Sequence, residues 1–319
     1  MNAATLLLGE RSRFGGQRLG DAVGTALARA DCSQHTGRQL ARAFDVLPRG
    51  WPVAAVSRQR DVGDARNAVW LRADPAYIRP DLSGARLMAY GEALDLGAAD
   101  VEALLPGLKP LFGDFGFLLD APLPSRWYLQ LPPGAQVPKF ASPDEVLGAE
   151  LFEQMPGSDP EGQSPNALAD SRRWRALLNE SQVLLHNHPH NADRVAAGLA
   201  PVNSLWFWGA GTMPDHVRSA CTGLLSDDEA LAAFALMAGI DVQPLSKAWS
   251  HAAGNVLLDL RHERDLARLQ ADWLGPMLAD LRARRLHQVT LDFADGTRYA
   301  LAAGQRWRFW RRPLRSLLA

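Results

Sequence analysis

The 319 residues carry 34 Lys and Arg against 35 Asp and Glu, a formal charge of −1, with 47% hydrophobic and 22% charged residues. That balance fits a soluble globular chain with apolar material for a large core, and it gives no global field for nucleic acid or an anionic membrane. Two cysteines without CxxC spacing exclude a disulfide framework or zinc ribbon. With no apolar run near the roughly 18 residues of a membrane span and an opening run too short for a signal peptide, a cytoplasmic protein is expected.

In chain order, "ATLLL" (4–8) reads as a short buried strand, followed by a helical pattern through Leu19, Val23 and Leu27. "WPVAAVS" and "NAVWLRA" read as strands, the second ending at the turn Asp74-Pro75, with "ARLMAY" as a further strand. Val101, Leu104, Leu105 and Leu108 mark a helix, and "FGFLLD" with "RWYLQL" a strand pair across "APLPS". Ser142, Pro143 and Glu145 form a capping box, opening a helix with Val146, Leu147 and Leu151 on its apolar face. Residues 156–169 are rich in Pro, Gly and Ser and read as an exposed loop, the best linker candidate.

Trp174, Leu177, Leu178, Leu184 and Leu185 keep helical spacing up to a stop near Pro189. "NSLWFW" (203–208) is a strand on which Trp206 and Trp208 share a face. A second capping box, Ser226 to Glu229, opens a helix that Gly239 ends; "GNVLLDL" is a buried strand. A long amphipathic helix through Leu266 and Leu281 bends at Pro276, and "QVTLDF-ADG-TRYALA" is a hairpin. Short buried strands alternating with helices predict an α/β fold: a mixed, largely parallel sheet flanked by helices, in a single unit over 1–319 with an inserted cap-like region around 75–165.

The densest chemistry lies in "VLLHNHPHNADRVAAGLAPVNSLWFWGAG" (183–211). His186, His188 and His190 alternate, which in extended chain would aim three imidazoles at one metal ion, Mn or Zn; Pro189 and the preceding helix favour a hydrogen-bonded turn instead. The Gly209-Ala210-Gly211 turn lets backbone amides approach an anion, or simply packs a strand exit tightly. Arg194 offers a bidentate fork, and Asn191 and Asn203 both donate and accept. These residues, with His188, are the candidate ligand-binding set for a phosphorylated or carboxylated small molecule. Asp259 and His262 in "LLDLRHERD" end a strand and read as a solvated loop, or as weak metal ligands. There is no G-x-S-x-G elbow and no G-K-[ST] loop. "GQRWRFWRRPLRSLLA" interleaves five arginines with aromatics; it reads either as an arm for nucleic acid or anionic lipid, or, favoured by the Trp307-Arg308-Phe309 alternation, as a terminal strand with Trp307 and Phe309 facing the core.

Residues Leu185, Asn187, His188, Pro189, Asn191, Arg194, Gly198, Pro201, Asn203, Trp206, Gly209 and Gly211 reproduce a pattern that resembles archaeal-type cofactor-independent phosphoglycerate mutases of the alkaline phosphatase superfamily. "LPRGWPVAA", "WLRADPAYIRPD", "RWYLQLP" and "RWRFWRRP" resemble a related bacterial family, the RpfE-type regulatory proteins. The first resemblance implies an alkaline phosphatase-like core, two metal ions held by Asp and His, and a phosphorylated Ser nucleophile. The chain departs from that implied site: Gly9 and Glu10 stand where the family's first strand ends in Asp-Gly, and no Gly-His pair follows Asp259. The expectation is therefore a catalytically degenerate, regulatory or metabolite-binding protein without a cofactor, with a small molecule or a regulatory protein as partner and nucleic acid not expected. The competing expectation is an active metal-dependent mutase or phosphoesterase.

Overall fold

The computed structural model describes residues 2–81, 84–147, 165–251 and 253–318. The chain opens with β1 (Ala3–Leu8), α1 (Asp21–Arg29), β2 (Asp31–Gln34), α2 (Leu40–Ala43) and β3 (Asp45–Leu47). Then come α3 (Val53–Asp61), β4 (Val69–Asp81), β5 (Gly84–Tyr90), α4 (Ala98–Asp114), β6 (Leu118–Leu123) and β7 (Arg126–Leu131). They are followed by α5 (Pro143–Val146), α6 (Pro165–His186), α7 (Pro189–Ala196), β8 (Ser204–Gly211), β9 (His216–Arg218) and β10 (Gly223–Leu225). The chain finishes through α8 (Glu229–Met237), β11 (Asp241–Gln243), β12 (Asn255–Leu260), α9 (Leu266–Arg268), α10 (Gly275–Arg282), β13 (Gln288–Phe293) and β14 (Thr297–Ala302).

These elements form two compact units: residues 1–49 with 215–319, and residues 50–214. β4 pairs β8 from far along the chain, and the strands between them, β5, β6 and β7, belong to the same sheet.

The first unit holds a seven-stranded sheet in the order β11-β10-β12-β1-β13-β14-β2. Parallel pairing joins β11, β10, β12, β1 and β13; β14 runs against both of its neighbours. β1 is central, and Leu6, Leu7 and Leu8 are fully buried, which explains an apolar run without alternation. One face of the sheet packs on α1, Trp273, Leu274 and α10 through Leu27, Met277 and Leu281. Between α9 and α10 the helix widens to a π stretch over Leu269–Leu274, with Pro276 in the following first turn, so the expected irregularity spans a whole turn. The mixed, largely parallel sheet flanked by helices is the expected α/β class.

The second unit is built on an antiparallel sheet, β5-β4-β7-β6, with β8 pairing β4 on its other side. Period-two alternation divides its faces. Leu71, Ala73, Trp127, Leu129, Leu131, Leu205 and Phe207 pack under Leu104, Leu108 and Phe112 of α4 and Trp174, Leu177 and Leu178 of α6. The other face carries Trp70, Tyr128, Trp206 and Trp208, with α3 against it, so Trp206 and Trp208 do share a face.

Several local expectations are corrected. "WPVAAVS" enters a helix, α3, with Val53 through Val56 buried; an unbroken apolar run has no period to separate helix from strand. β4 continues through Asp74-Pro75, because Pro75 falls between the segment paired to β7 (69–72) and that paired to β5 (from Ala76), where one ladder is already open. Asp228, not Ser226, caps α8, accepting from the Leu231 amide at 3.0 Å. Residues 165–169 of the expected loop belong to α6; its remainder, 156–164, and Leu151 lie outside the described residues. Residues 303–307 form a 3-10 turn rather than a strand, and Trp307 and Phe309 are exposed.

Candidate functional site

The histidine-asparagine-arginine segment turns from α6 through α7 into β8 and is held almost wholly by its own polar groups. His188 caps α7, its Nδ1 accepting the His190 amide at 3.3 Å. Asn191 is buried and bridges the two flanks: its Nδ2 donates to the Leu185 and Val202 carbonyls at 2.6 and 2.8 Å, and its Oδ1 accepts the Val202 amide at 2.8 Å. Asn203 does the same to β4, donating to the Ile78 carbonyl at 2.7 Å and accepting the Ile78 amide at 2.8 Å. It thereby extends the ladder by one side chain.

Arg194 is 3% exposed, and each of its nitrogens is engaged. Nε donates to the Ala200 carbonyl at 3.0 Å, one terminal nitrogen to the Leu94 carbonyl at 2.6 Å, and the other to Asp100 Oδ1 at 2.7 Å. His190 Nε2 lies 2.7 Å from the same Asp100 oxygen. Burial works to raise the Asp100 pKa, but the Gly97 amide, His190 and Arg194 outweigh it and hold the carboxyl below its usual range. The structure thus brings His190 and Arg194 together on Asp100, and spends Asn191, Arg194 and Asn203 on backbone.

Gly209 and Gly211 have φ of 67° and 154°. A Cβ on Gly209 would lie 2.8 Å from Val53 Cβ, and one on Gly211 would lie 2.6 Å from Pro52 Cβ. The glycines admit the start of α3 against the strand exit, which is the close-packing alternative. On the same sheet face lies a buried polar cluster that the sequence reading missed. Arg72 grips Asp74 with two bonds of 2.8 and 2.9 Å, and Trp208 Nε1 donates to Asp74 at 2.6 Å. Only the R-x-D alternation in "WLRADP" hints at it, since both residues fall on one face of a strand.

In the first unit, several acids near the strand ends expected to carry chemistry are closed by arginines. Asp259, at the end of β12, is 5% exposed rather than part of a solvated loop. Its oxygens accept from Arg261 at 2.7 Å each and from Ser226 Oγ at 2.8 Å. Arg261 also donates to Asp228, beyond β10, at 2.6 Å. Asp292 of β13 takes Arg42 at 2.5 Å, and Asp295 in the hairpin turn takes Arg11 at 2.8 Å. For Asp259, burial works to raise the pKa, but the bonds and charge of Arg261 and the Ser226 hydroxyl overcome it and the net shift is downward. The same balance, with Arg11 as the partner, lowers Asp295.

Among the described residues, the candidate ligands do not assemble a two-metal centre. At the end of β1, a Cβ on Gly9 would lie 3.0 Å from the Arg261 carbonyl oxygen, so a ligand side chain there would need that backbone to give by a few tenths of an ångström. His262 is exposed, as is His186, and His188 and His190 stand with ring centroids 6.5 Å apart. Among the described residues, no group of three or more His, Cys, Asp or Glu side chains is gathered to hold a metal ion. The alternative Mn or Zn set of His186, His188, His190, Asp259 and His262 is divided between the two units.

No family model matches the chain. Over 105 residues it is 30% identical to a probable 2,3-bisphosphoglycerate-independent phosphoglycerate mutase of Geobacter sulfurreducens, covering 31% of this chain and 24% of that protein. This chain is similar to cofactor-independent phosphoglycerate mutases. The corresponding enzyme of Methanosarcina barkeri is 28% identical over 105 residues, with the same two shares. The match spans about a quarter of the length of these curated relatives. The solved cofactor-independent phosphoglycerate mutase of Thermoplasma acidophilum aligns over 94% of this chain and 89% of its own, at 14% identity and a TM-score of 0.41. No helix among the described residues is long and apolar enough to cross a membrane.

Proposed function

We propose that this chain is a phosphoglycerate mutase-like protein that has given up two-metal phosphotransfer and acts as a binding or regulatory protein, in keeping with its resemblance to RpfE-type regulators. One observation carries the reading: three acids at the strand ends of the parallel sheet are already bonded to the protein's own cations, Asp292 to Arg42 and both Asp228 and Asp259 to Arg261. A hard dication takes its ligands as free carboxylates, with several oxygens converging on one point. A guanidinium bonded to both carboxylates occupies their oxygens and offsets one of their two charges, and it has no open coordination position at which to polarise a phosphoryl oxygen or activate a nucleophile.

A phosphorylated or carboxylated metabolite remains the proposed ligand class, but Arg194 is not its anchor, since that fork is closed on Asp100 and two carbonyls. The test is metal analysis of untreated protein together with a mutase assay. We expect no stoichiometric Mn or Zn, and no conversion of 3-phosphoglycerate to 2-phosphoglycerate with either metal added. Stoichiometric metal with turnover would establish the competing reading, an active metal-dependent mutase, and overturn this one.

A further inference from the structure

Residues 303–318 hold three large aromatic side chains in water: Trp307 is 66% exposed, Phe309 77% and Trp310 68%. A frayed end would do that without meaning, but this segment is fastened on both sides. At its start, Arg308 donates to the Arg29 carbonyl at 2.9 Å and to Asp31 at 2.6 Å, and Gln305 Nε2 donates to Asp31 and to the Ala300 carbonyl. Further on, the Leu314 amide donates to the Gly24 carbonyl and the Leu19 amide to the Arg315 carbonyl, while Leu317 is buried in the core. Gly24 is required there, because a Cβ on it would fall 2.2 Å from the Leu314 carbonyl oxygen. The chain is an arch with its feet anchored and its apolar crown outward.

Charge accompanies the aromatics. Residues 304–318 contain five arginines and no acidic residue. Arg308 is paired with Asp31, but Arg306, Arg312 and Arg315 are exposed and take part in no ion pair among the described residues. Arg306 lies over the Trp307 ring at 4.9 Å. A pinned, cationic, aromatic crown on a chain of net charge −1 is a local device.

We propose that this arch docks the protein peripherally on an anionic lipid bilayer. Trp and Phe place their rings at the boundary between headgroups and acyl chains, while arginines neutralise lipid phosphates and carboxylates around them. Single-stranded nucleic acid is held on aromatic faces laid along one track for successive bases; Phe309 and Trp310 instead stand edge to face at 78°, and Arg306 lies over one face of Trp307. The inference stands independently of the degenerate-mutase reading.

The experiment is co-sedimentation of the full chain with phosphatidylcholine vesicles, with and without phosphatidylserine, at low and moderate salt. Wild type is expected to bind the phosphatidylserine vesicles and not the neutral ones, with binding falling as salt rises. The triple variant Trp307→Ser/Phe309→Ser/Trp310→Ser, changed only at exposed side chains, should lose at least tenfold in partitioning with an unchanged thermal midpoint. Arg312→Gln and Arg315→Gln should each lose about fivefold, the effect of one basic residue near an anionic surface. Absence of binding to anionic vesicles at low salt, or binding that the triple variant retains, overturns the proposal. So does aromatic-dependent dimerisation without lipid, or an oligonucleotide that binds the crown more tightly than the vesicles do.

Discussion

Arg194 offers the sharpest test of whether the Asn-Arg-Gly segment is framework or binding surface. In Arg194→Ala, the Leu94 and Ala200 carbonyls each lose a donor and Asp100 loses a charged partner, all beneath a 3% exposed side chain. Removing one partner of a buried ion pair costs about 3–5 kcal/mol, because the remaining groups stay desolvated and uncompensated. Asp100 keeps the Gly97 amide and His190, which places the expected loss near the bottom of that range, about 3 kcal/mol. With a urea slope of about 2 kcal/mol/M, the midpoint of the second unit should fall by roughly 1.5 M. The assay is urea unfolding followed by circular dichroism and tryptophan fluorescence, the two probes checking that one transition is being read. Arg194→Lys, which keeps the charge but not the fork, should recover only part of the loss. A loss below about 1 kcal/mol would refute the reasoning, for it would mean that the guanidinium is not holding the fold and is available to a ligand.

Two further predictions concern electrostatics and backbone. The Asp259 carboxyl is held below its usual range in the folded protein, so its stabilisation is complete above about pH 4 and is lost as pH falls through the depressed value. In Arg261→Met the sign reverses: burial is then opposed only by the Ser226 hydroxyl and the backbone amide of residue 261, the folded pKa rises, and stability should increase as pH is lowered from 7 towards 5. Thermal midpoints measured across pH 3–7 would show opposite slopes for the two proteins, and parallel slopes would refute the assignment. Gly209→Ala combines a positive φ with a 2.8 Å approach to Val53 Cβ, whereas Gly198→Ala meets a similar φ with open space around it. Differential scanning calorimetry should show about 1 kcal/mol lost at Gly198 and clearly more at Gly209.

Much of the architecture was legible because it rests on local pattern. Val101, Leu104, Leu105 and Leu108 announce α4 by period, and Asp295-Gly296 announces the hairpin by turn chemistry. The glycines of the 209–211 turn were legible as a point of close approach, with its partner unnamed. What approaches them, Pro52 and Val53 of α3, lies about 150 residues earlier, in a segment whose apolar run has no period to read. Asn191 finds its partners, Leu185 and Val202, within the segment, but Arg194 and Asn203 also reach Leu94, Asp100 and Ile78, roughly 90 to 125 residues away, which no local pattern announces.

By itself, the sequence determined an α/β chain with a buried first strand, the capping box at Ser142, and the absence of an acid at Gly9. Only tertiary structure decided which charges meet. Arg261 closes on Asp228 because β10 and β12 lie side by side, and Arg42 reaches Asp292 because α2 comes to the end of β13. It also decided that Trp307 and Phe309 face water, since the arch is tied down by Arg308, Leu314 and Leu317 and not by strand pairing. Periodicity reports which side of an element is apolar. Whether a carboxylate is answered by an arginine, and whether an aromatic side finds a core, depends on contacts between segments far apart in the chain.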